Sequence, residues 1–340
     1  MAYYANQPLP DTNARGPAIT VRPASTALLT IDSEDRYTDY TDQRINPTSP
    51  YDFTIRKPEN MMAGFFTRLA VTEINFPFTV PNINKKTDKI GVSYSPNGVS
   101  PIALATIGLA EGFATPAQIA TDLQAKVRAL DASLAGFTVA YGGSYDFSGA
   151  IPSFYYSTNN ATTIGFNPLP YNTPAYPFPP QTKQLFDLLG FSLSGTINVG
   201  NEIPKINDNG NATLCQAIRY IDIVANVLTS VSALKDQTSQ PIVRDMLCRV
   251  YLGDGGGTGQ STTSPSSSTF CPPGCAPLTI YRNFTSPKQI QWIPNQNIPG
   301  CLQFQVYDDA GDLLSNSLPP SVGYYNQNTD WSMTIQVTEN

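Results

Sequence analysis

Residues 51–56 (YDFTIR) alternate without a break, with Tyr51, Phe53 and Ile55 on one side and Asp52, Thr54 and Arg56 on the other. Period two is the mark of a strand with one buried face. The same pattern returns near the far end of the chain. Leu302, Phe304 and Val306 oppose Gln303, Gln305 and Tyr307, with a turn at Asp308-Asp309-Ala310-Gly311. Trp331, Met333, Ile335 and Val337 then alternate with Ser332, Thr334, Gln336 and Thr338. A first core strand is expected at Ala27–Ile31, running into Asp32-Ser33-Glu34-Asp35-Arg36. Residues 65–80 (FFTRLAVTEINFPFTV) form a longer strand whose phase changes: Leu69 and Val71 share one parity, Ile74, Phe76 and Phe78 the other. One extra residue near Thr72-Glu73, a β-bulge, reconciles the two. Pro77 suits a strand end or an edge, since it cannot donate to a ladder.

The middle of the chain changes period. Thr115 is placed to cap a helix, Pro116 fits its first position, and Gln118 completes a capping box. Ile119, Leu123, Val127 and Leu130 make one apolar stripe, and Gly136 is placed to end the helix. Strands follow at Phe137–Tyr141, Ser153–Tyr156 and Thr163–Phe166, then a short helix at Lys183–Leu189 that stops at Gly190 and leads into Phe191. Residues 214–231 fit either period; dense β-branched residues and little charge favour a strand. Strands at both ends with an α/β segment between predict an all-β sandwich over 27–340, closed by its first and last strands. The α/β segment, about 97–200, reads as an insertion. Residues 1–26, with four prolines and no sustained apolar pattern, read as an extended arm that orders on a neighbour, or as a frayed terminus. Residues 253–269 (GDGGGTGQSTTSPSSST) read as a flexible Gly/Ser/Thr loop.

Composition narrows the function. Only 14% of residues are charged, against the roughly 25% usual in globular domains, while 11% are aromatic. That is the material of a β protein with neutral polar outer faces. The net charge is −6 and no basic cluster exceeds Lys85-Lys86, which argues against direct nucleic-acid binding. No apolar run is long enough for a transmembrane helix. The N-terminus lacks the pattern of a signal peptide, so synthesis in the cytosol or a viral factory is expected. On that basis the sequons at Asn160, Asn211 and Asn283 are chance matches. Histidine is absent altogether, which removes Ser-His-Asp and Cys-His catalysis and every histidine-ligated metal site.

Four clusters carry candidate chemistry. Asp32 and Glu34, two apart, would share a face on a strand and could act as paired carboxylates or bind Ca²⁺. Asp and Ser at a strand end also make turns, and Arg36 can neutralise a neighbour. The glycine loop fails as a phosphate cradle, because Gln260 stands where the lysine is required and Asp254 where the first glycine is. Cys271 and Cys275 (CPPGC) are open to three readings: unpaired thiols, a small disulfide ring, or two metal ligands. The metal reading needs Cys215, Cys248 or Cys301 to converge on them. Exposed tyrosines can stack on sugars or bases, though in a sandwich they more often anchor interfaces.

Several stretches together resemble the jelly-roll minor capsid and penton proteins of adenovirus-like double-stranded DNA viruses, the group of virophages, polinton-like viruses and giant viruses. They are LTIDSEDRY with SPYDFTI, GFFTRLAVTEINFPFTVPNIN, GFATPAQIATDLQAKVRAL with QLFDLLGF, RNFTSPKQIQW, LQFQVYDDAGDLL and the terminal WSMTIQVTEN. They match in order over residues 30–340, while the Gly/Ser loop and the CPPGC segment fall outside the pattern. The resemblance implies a jelly roll of eight strands in two Greek keys. It also implies a structural role in the virion, most specifically as the vertex (penton) subunit: a homopentamer that contacts the major capsid protein and other minor capsid proteins. On this reading the chain is not an enzyme and needs no cofactor; it acts by burial at subunit interfaces and arm exchange. Two other readings are a receptor- or glycan-binding attachment module using exposed Tyr and Trp, and a hydrolase using carboxylates such as Asp32 and Glu34.

Overall fold

A computed structural model describes residues 26–37, 49–95, 103–142, 153–157, 164–180, 182–191, 205–206, 215–229, 236–237, 243–244, 246–252, 277–287, 290–314 and 329–339. Residues 1–25, the loop 253–269, the Cys271/Cys275 pair, Asn160 and Asn211 lie outside these.

The protein is mostly antiparallel β-sheet with few helices. In chain order the first strands are β1 (Thr26–Asp32), β2 (Asp52–Arg56) and β3 (Met62–Phe78). Then come β4 (Lys89–Tyr94), β5 (Ala103–Gly108), α1 (Pro116–Arg128), β6 (Thr138–Gly142), β7 (Ser153–Ser157), β8 (Ile164–Asn167), α2 (Leu185–Leu188) and β9 (Lys205–Ile206). After these run β10 (Tyr220–Val224), α3 (Asn226–Thr229), β11 (Asp236–Gln237), β12 (Val243–Arg244) and β13 (Met246–Tyr251). The last four are β14 (Leu278–Asn283), β15 (Ile290–Ile298), β16 (Cys301–Asp308) and β17 (Ser332–Glu339).

Two sheets share one hydrophobic core. The first runs β1-β17-β3-β14, with β15 also paired to β3; the second runs β13-β10-β16-β2. The inward residues are those that period two selects: Tyr51, Phe53 and Ile55 from β2 and its approach, Leu302, Phe304 and Val306 from β16, and Met333, Ile335 and Val337 from β17. Trp331 sits between the sheets, with ring centroids 5.8 Å from Phe53 and 5.9 Å from Phe76. First and last strands do close the sheet: β1 pairs β17 from Thr26↔Thr338 to Asp32↔Ser332 without a register shift. Thr26 therefore already belongs to β1.

The bulge in β3 falls where the parity change demands it. Opposite β17, Thr334 pairs Glu73 and the next residue, Ile335, pairs Val71, so Thr72 is the extra residue. Leu69, Val71, Ile74, Phe76 and Phe78 are consequently all buried. Nine described strands build the two sheets rather than the expected eight. The cause is the length of β3: β14 pairs with its 73–78 half and β15 with its 62–69 half. The 214–231 segment is also not a single strand. β10 ends at Val224 and α3 begins at Asn226, with Thr229 Oγ1 donating to the Ala225 carbonyl at 3.0 Å. Both periods seen in that stretch are used, one after the other.

A second hydrophobic cluster gathers residues from Ile83 to Cys215. It is built on the sheets β5-β4-β8 and β6-β7-β9 and on α1. Thr115 Oγ1 accepts from the Gln118 N–H and Gln118 Oε1 from the Thr115 N–H, the full capping box. Ile119, Leu123 and Val127 bury the stripe against Phe137, Phe166 and their neighbours. The helix stops at Arg128, ahead of Gly136. Asp131 Oδ1 accepts from the Ser133 N–H and starts a separate 3-10 turn, Ala132–Leu134. At α2, Gly190 takes φ +84°, the left-handed value that ends a helix at low cost only for glycine.

Candidate functional site

Three places in the fold hold the chemically notable side chains: the turn after β1, the junction between the two clusters, and the open rim of the sandwich.

At the turn, β1 ends at Asp32 and Ser33–Tyr37 is a 3-10 helix. Of the two readings open to Asp32 and Glu34, the turn at a strand end is the one observed and the shared strand face is not, because the two-residue repeat stops between them. Asp32 Oδ1 instead accepts from the Glu34 N–H at 2.9 Å, the local turn bond typical of Asp. Burial and then the charge of Asp32 raise the Asp35 carboxyl above its ordinary range, with Lys57 opposing. The residue that organises the turn is Arg36, 1% exposed. Its Nη1 donates to the Ser33 carbonyl at 2.5 Å and pairs with the Asp330 carboxylate. Ser33 Oγ donates to Asp330 at 2.8 Å and accepts from the Trp331 N–H at 2.9 Å. Trp331 Nε1 donates to the Pro50 carbonyl at 2.6 Å. The acidic motif thus anchors the first strand to the approach of the last. Arg36 and Asp330, nearly 300 residues apart, gave no signal of this pairing in the sequence beyond an arginine amid acids. Trp331 is spent in the core, so it offers no platform for an attachment module.

At the junction, the connector Pro81–Asp88 and the turn after β16 meet. Asn82 Nδ2 donates to the carbonyls of Ala114 at 2.8 Å and Cys215 at 3.1 Å, and its Oδ1 accepts from the Ala114 N–H. Lys86 Nζ lies 2.5 Å from Asp312 and 3.6 Å from Asp308. Asp309, 2% exposed at its side chain, receives Lys183 Nζ and Arg219 Nε, each at 3.0 Å. The cavity among these groups is about 10 Å³, room for nothing larger than a water molecule, so this is a clamp rather than a binding pocket.

Asp88 closes the same connector. It is buried, and its Oδ1 has no hydrogen-bond partner among the described residues. Loss of water raises its pKa to about 6, and Glu111 adds to the effect while Lys89 and Lys85 oppose it. A folded-state value above the unfolded one means that the native protein holds the extra proton between about pH 4 and 6. Stability from this residue is greatest below that window and is lost as pH rises through it. Asp88→Asn is expected to flatten this slope and to raise stability at pH 7 by about 2 kcal/mol at most, read from urea titrations at pH 4, 5, 6 and 7.

At the rim, β13 and β14 face each other across a cleft of about 300 Å³. Arg249 is forked to Asp222 at 2.7 and 2.9 Å, and its guanidinium carbon lies over the Tyr220 ring, 3.9 Å from its centroid. Tyr251, 48% exposed, packs edge-on to Tyr220. Arg282 reaches across from β14 to the Tyr251 carbonyl. Sequence reasoning did not single out these arginines; their signal was only charge interrupting apolar strands.

Cys215 and Cys248 are buried free thiols and Cys301 is an exposed one. Burial pushes the Cys248 thiol up to about 12 and the Cys215 thiol higher still, which leaves both protonated and unreactive. Among the described residues, no group of three or more Cys, Asp or Glu could hold a metal, and no helix is long and apolar enough to cross a membrane.

What these features define is an all-β protein whose buried polar groups join parts of its own fold. No protein-family model matches the chain, and no curated protein matches it. Among solved structures it is similar to the crystal structure of a selenomethionine-labelled mavirus penton protein, at 11% identity and a TM-score of 0.48, over 93% of this chain and 99% of that one.

Proposed function

We propose that the protein is a minor capsid subunit of an icosahedral virus, most specifically the vertex (penton) subunit, assembling as a homopentamer beside the major capsid protein. One observation carries this reading. The outward residues of β1 and β17 (Thr26, Leu28 and Thr30; Ser332, Thr334, Gln336 and Thr338) include no charge. Soluble proteins protect an edge strand with lysine, proline or a bulge. β1 has none of these before Asp32, and among the described residues nothing pairs with its free side. A Thr/Gln face is cheap to strip of water, whereas a charged one costs several kcal/mol per ion. Such a surface suits burial against a neighbour.

The strand order supports the jelly-roll reading. β1, β2, β3 and β10 alternate between sheets, and β17 returns to lie between β1 and β3 as β16 does between β2 and β10. That interleaving is the wiring of two Greek keys. The expected arm, now residues 1–25 since Thr26 is in β1, precedes the unprotected strand in the sequence and belongs to the same proposal as the segment exchanged between subunits. Enzymatic activity forms no part of it.

The test is the mass of the purified chain by light scattering after size exclusion, together with its incorporation into particles co-expressed with the major capsid protein. A species near five times 36.8 kDa that enters particles is expected. A protein that is monomeric and stays out of particles overturns the reading.

A further inference from the structure

On the described strands of the sandwich the large exposed apolar side chains sit on edge strands. Leu28 is 66% exposed on β1, at one edge of the first sheet. Tyr281, 54% exposed, lies on β14 at the opposite edge of that sheet, and Tyr251, 48% exposed, lies on β13, the edge of the second sheet across the cleft. Two strands, β17 and β3, separate the two edges, so they stand three strand spacings apart, roughly 14 Å.

The two edges also differ in charge and shape. Beside Leu28 the chain runs into Asp32, Glu34 and Asp35, of which Glu34 and Asp35 are exposed. The β13/β14 cleft is lined by Val250, Tyr251 and Phe284 together with Arg282 and with Arg249, whose guanidinium is paired with Asp222. One edge is thus an aliphatic knob with an acidic turn, and the other an aromatic cleft bordered by Arg282. An interface built on a two-fold axis needs a patch complementary to itself; two unlike, matching patches on one subunit instead make a head-to-tail junction that closes into a ring.

We infer that copies of this chain join head to tail, with the β1 edge of one copy (Leu28 and the Asp32–Asp35 turn) seated in the Tyr251/Arg282 cleft of the next. The inference rests on the capsid reading for the partner being a second copy, and it specifies which two surfaces meet. It also gives the acidic motif an outward task, since Glu34 and Asp35 then face the Arg282 side of the neighbour's cleft.

The test uses full-length chains and analytical ultracentrifugation over a range of concentrations. Leu28→Asp spoils the knob and keeps the cleft; Tyr251→Asp spoils the cleft and keeps the knob. Each alone is expected to be monomeric, and an equimolar mixture to form a 1:1 dimer and nothing larger, since only one productive junction remains. Leu104→Asp, at an 80% exposed residue of β5 outside the sandwich, is the control and is expected to leave the assembly unchanged. Both test positions are solvent-exposed, and thermal melts of the two monomers establish that they are folded. Wild-type-like assembly by either variant, a mixture that stays monomeric, or a mixture that rebuilds the full ring overturns the inference while leaving the capsid reading standing. A monomeric wild type also overturns it, and incorporation into particles then decides the capsid reading separately.

Discussion

Trp331→Ala is expected to lower the free energy of unfolding by about 4 kcal/mol, read as a drop in urea midpoint at unchanged slope. The indole is 2% exposed and touches the rings of Phe53, Phe76 and Phe304, which come from both sheets. Truncation therefore opens a void where one side chain bridges the two sheets, and the aromatic neighbours cannot all move in to fill it. The Pro50 carbonyl also loses the indole N–H that serves it at 2.6 Å. Trp331→Phe restores most of the ring and isolates that last term, with an expected loss of about 1–2 kcal/mol.

Asp330→Ala is expected to cost about 3 kcal/mol, because it removes the carboxylate facing a buried guanidinium. Arg36 is 1% exposed and cannot recover its hydration by turning outward. Asp330 itself is a quarter exposed at its side chain, which places the loss at the lower end for a broken buried pair. Asp330→Asn keeps an acceptor for Ser33 Oγ and is expected to cost less than the alanine variant. A double variant Arg36→Leu/Asp330→Leu, which removes both charges, should recover stability relative to Asp330→Ala. If urea titration finds the double variant no better, the loss in the single variant is not electrostatic.

The sandwich was legible because its strands are half buried, and half burial writes itself as alternation. Tyr51 to Ile55, Leu302 to Val306 and Trp331 to Val337 all point as their parity requires. The Thr72 bulge was legible for the same reason, since a parity change has few other causes. The helix at 116–128 was announced by local chemistry at its cap, and local chemistry travels with the sequence. Its far end was not, because Asp131 interrupts the pattern before the glycine that could have ended it. Residues 214–231 misled because a strand of five residues and a helix of four each fall short of a full pattern. What stayed hidden is long-range polar pairing. Lys86 with Asp308 and Asp312, Lys183 and Arg219 with Asp309, and Arg36 with Asp330 follow from topology, and no spacing rule connects residues 90 to 294 positions apart. The junction clamp and the β13/β14 cleft were therefore invisible, while the acidic motif was visible and its turn-forming role legible, with only the distant partner Asp330 hidden.

The pairing of β1 with β17 has a consequence for how the protein is made. Translation delivers Thr26 first and its partner Thr338 some three hundred residues later. Until then β3, the longest strand, has no neighbour on one side, and the seat of Trp331 between the sheets stands empty. The cluster from Ile83 to Cys215 draws on contacts within its own stretch and can form while the ribosome is still working. Completion of the first sheet must wait for the last strand. A chain released early, or stalled in its final thirty or so residues, leaves β1 and β3 unpaired on the sides that β17 covers, so quality control of this protein falls on its C-terminal strand.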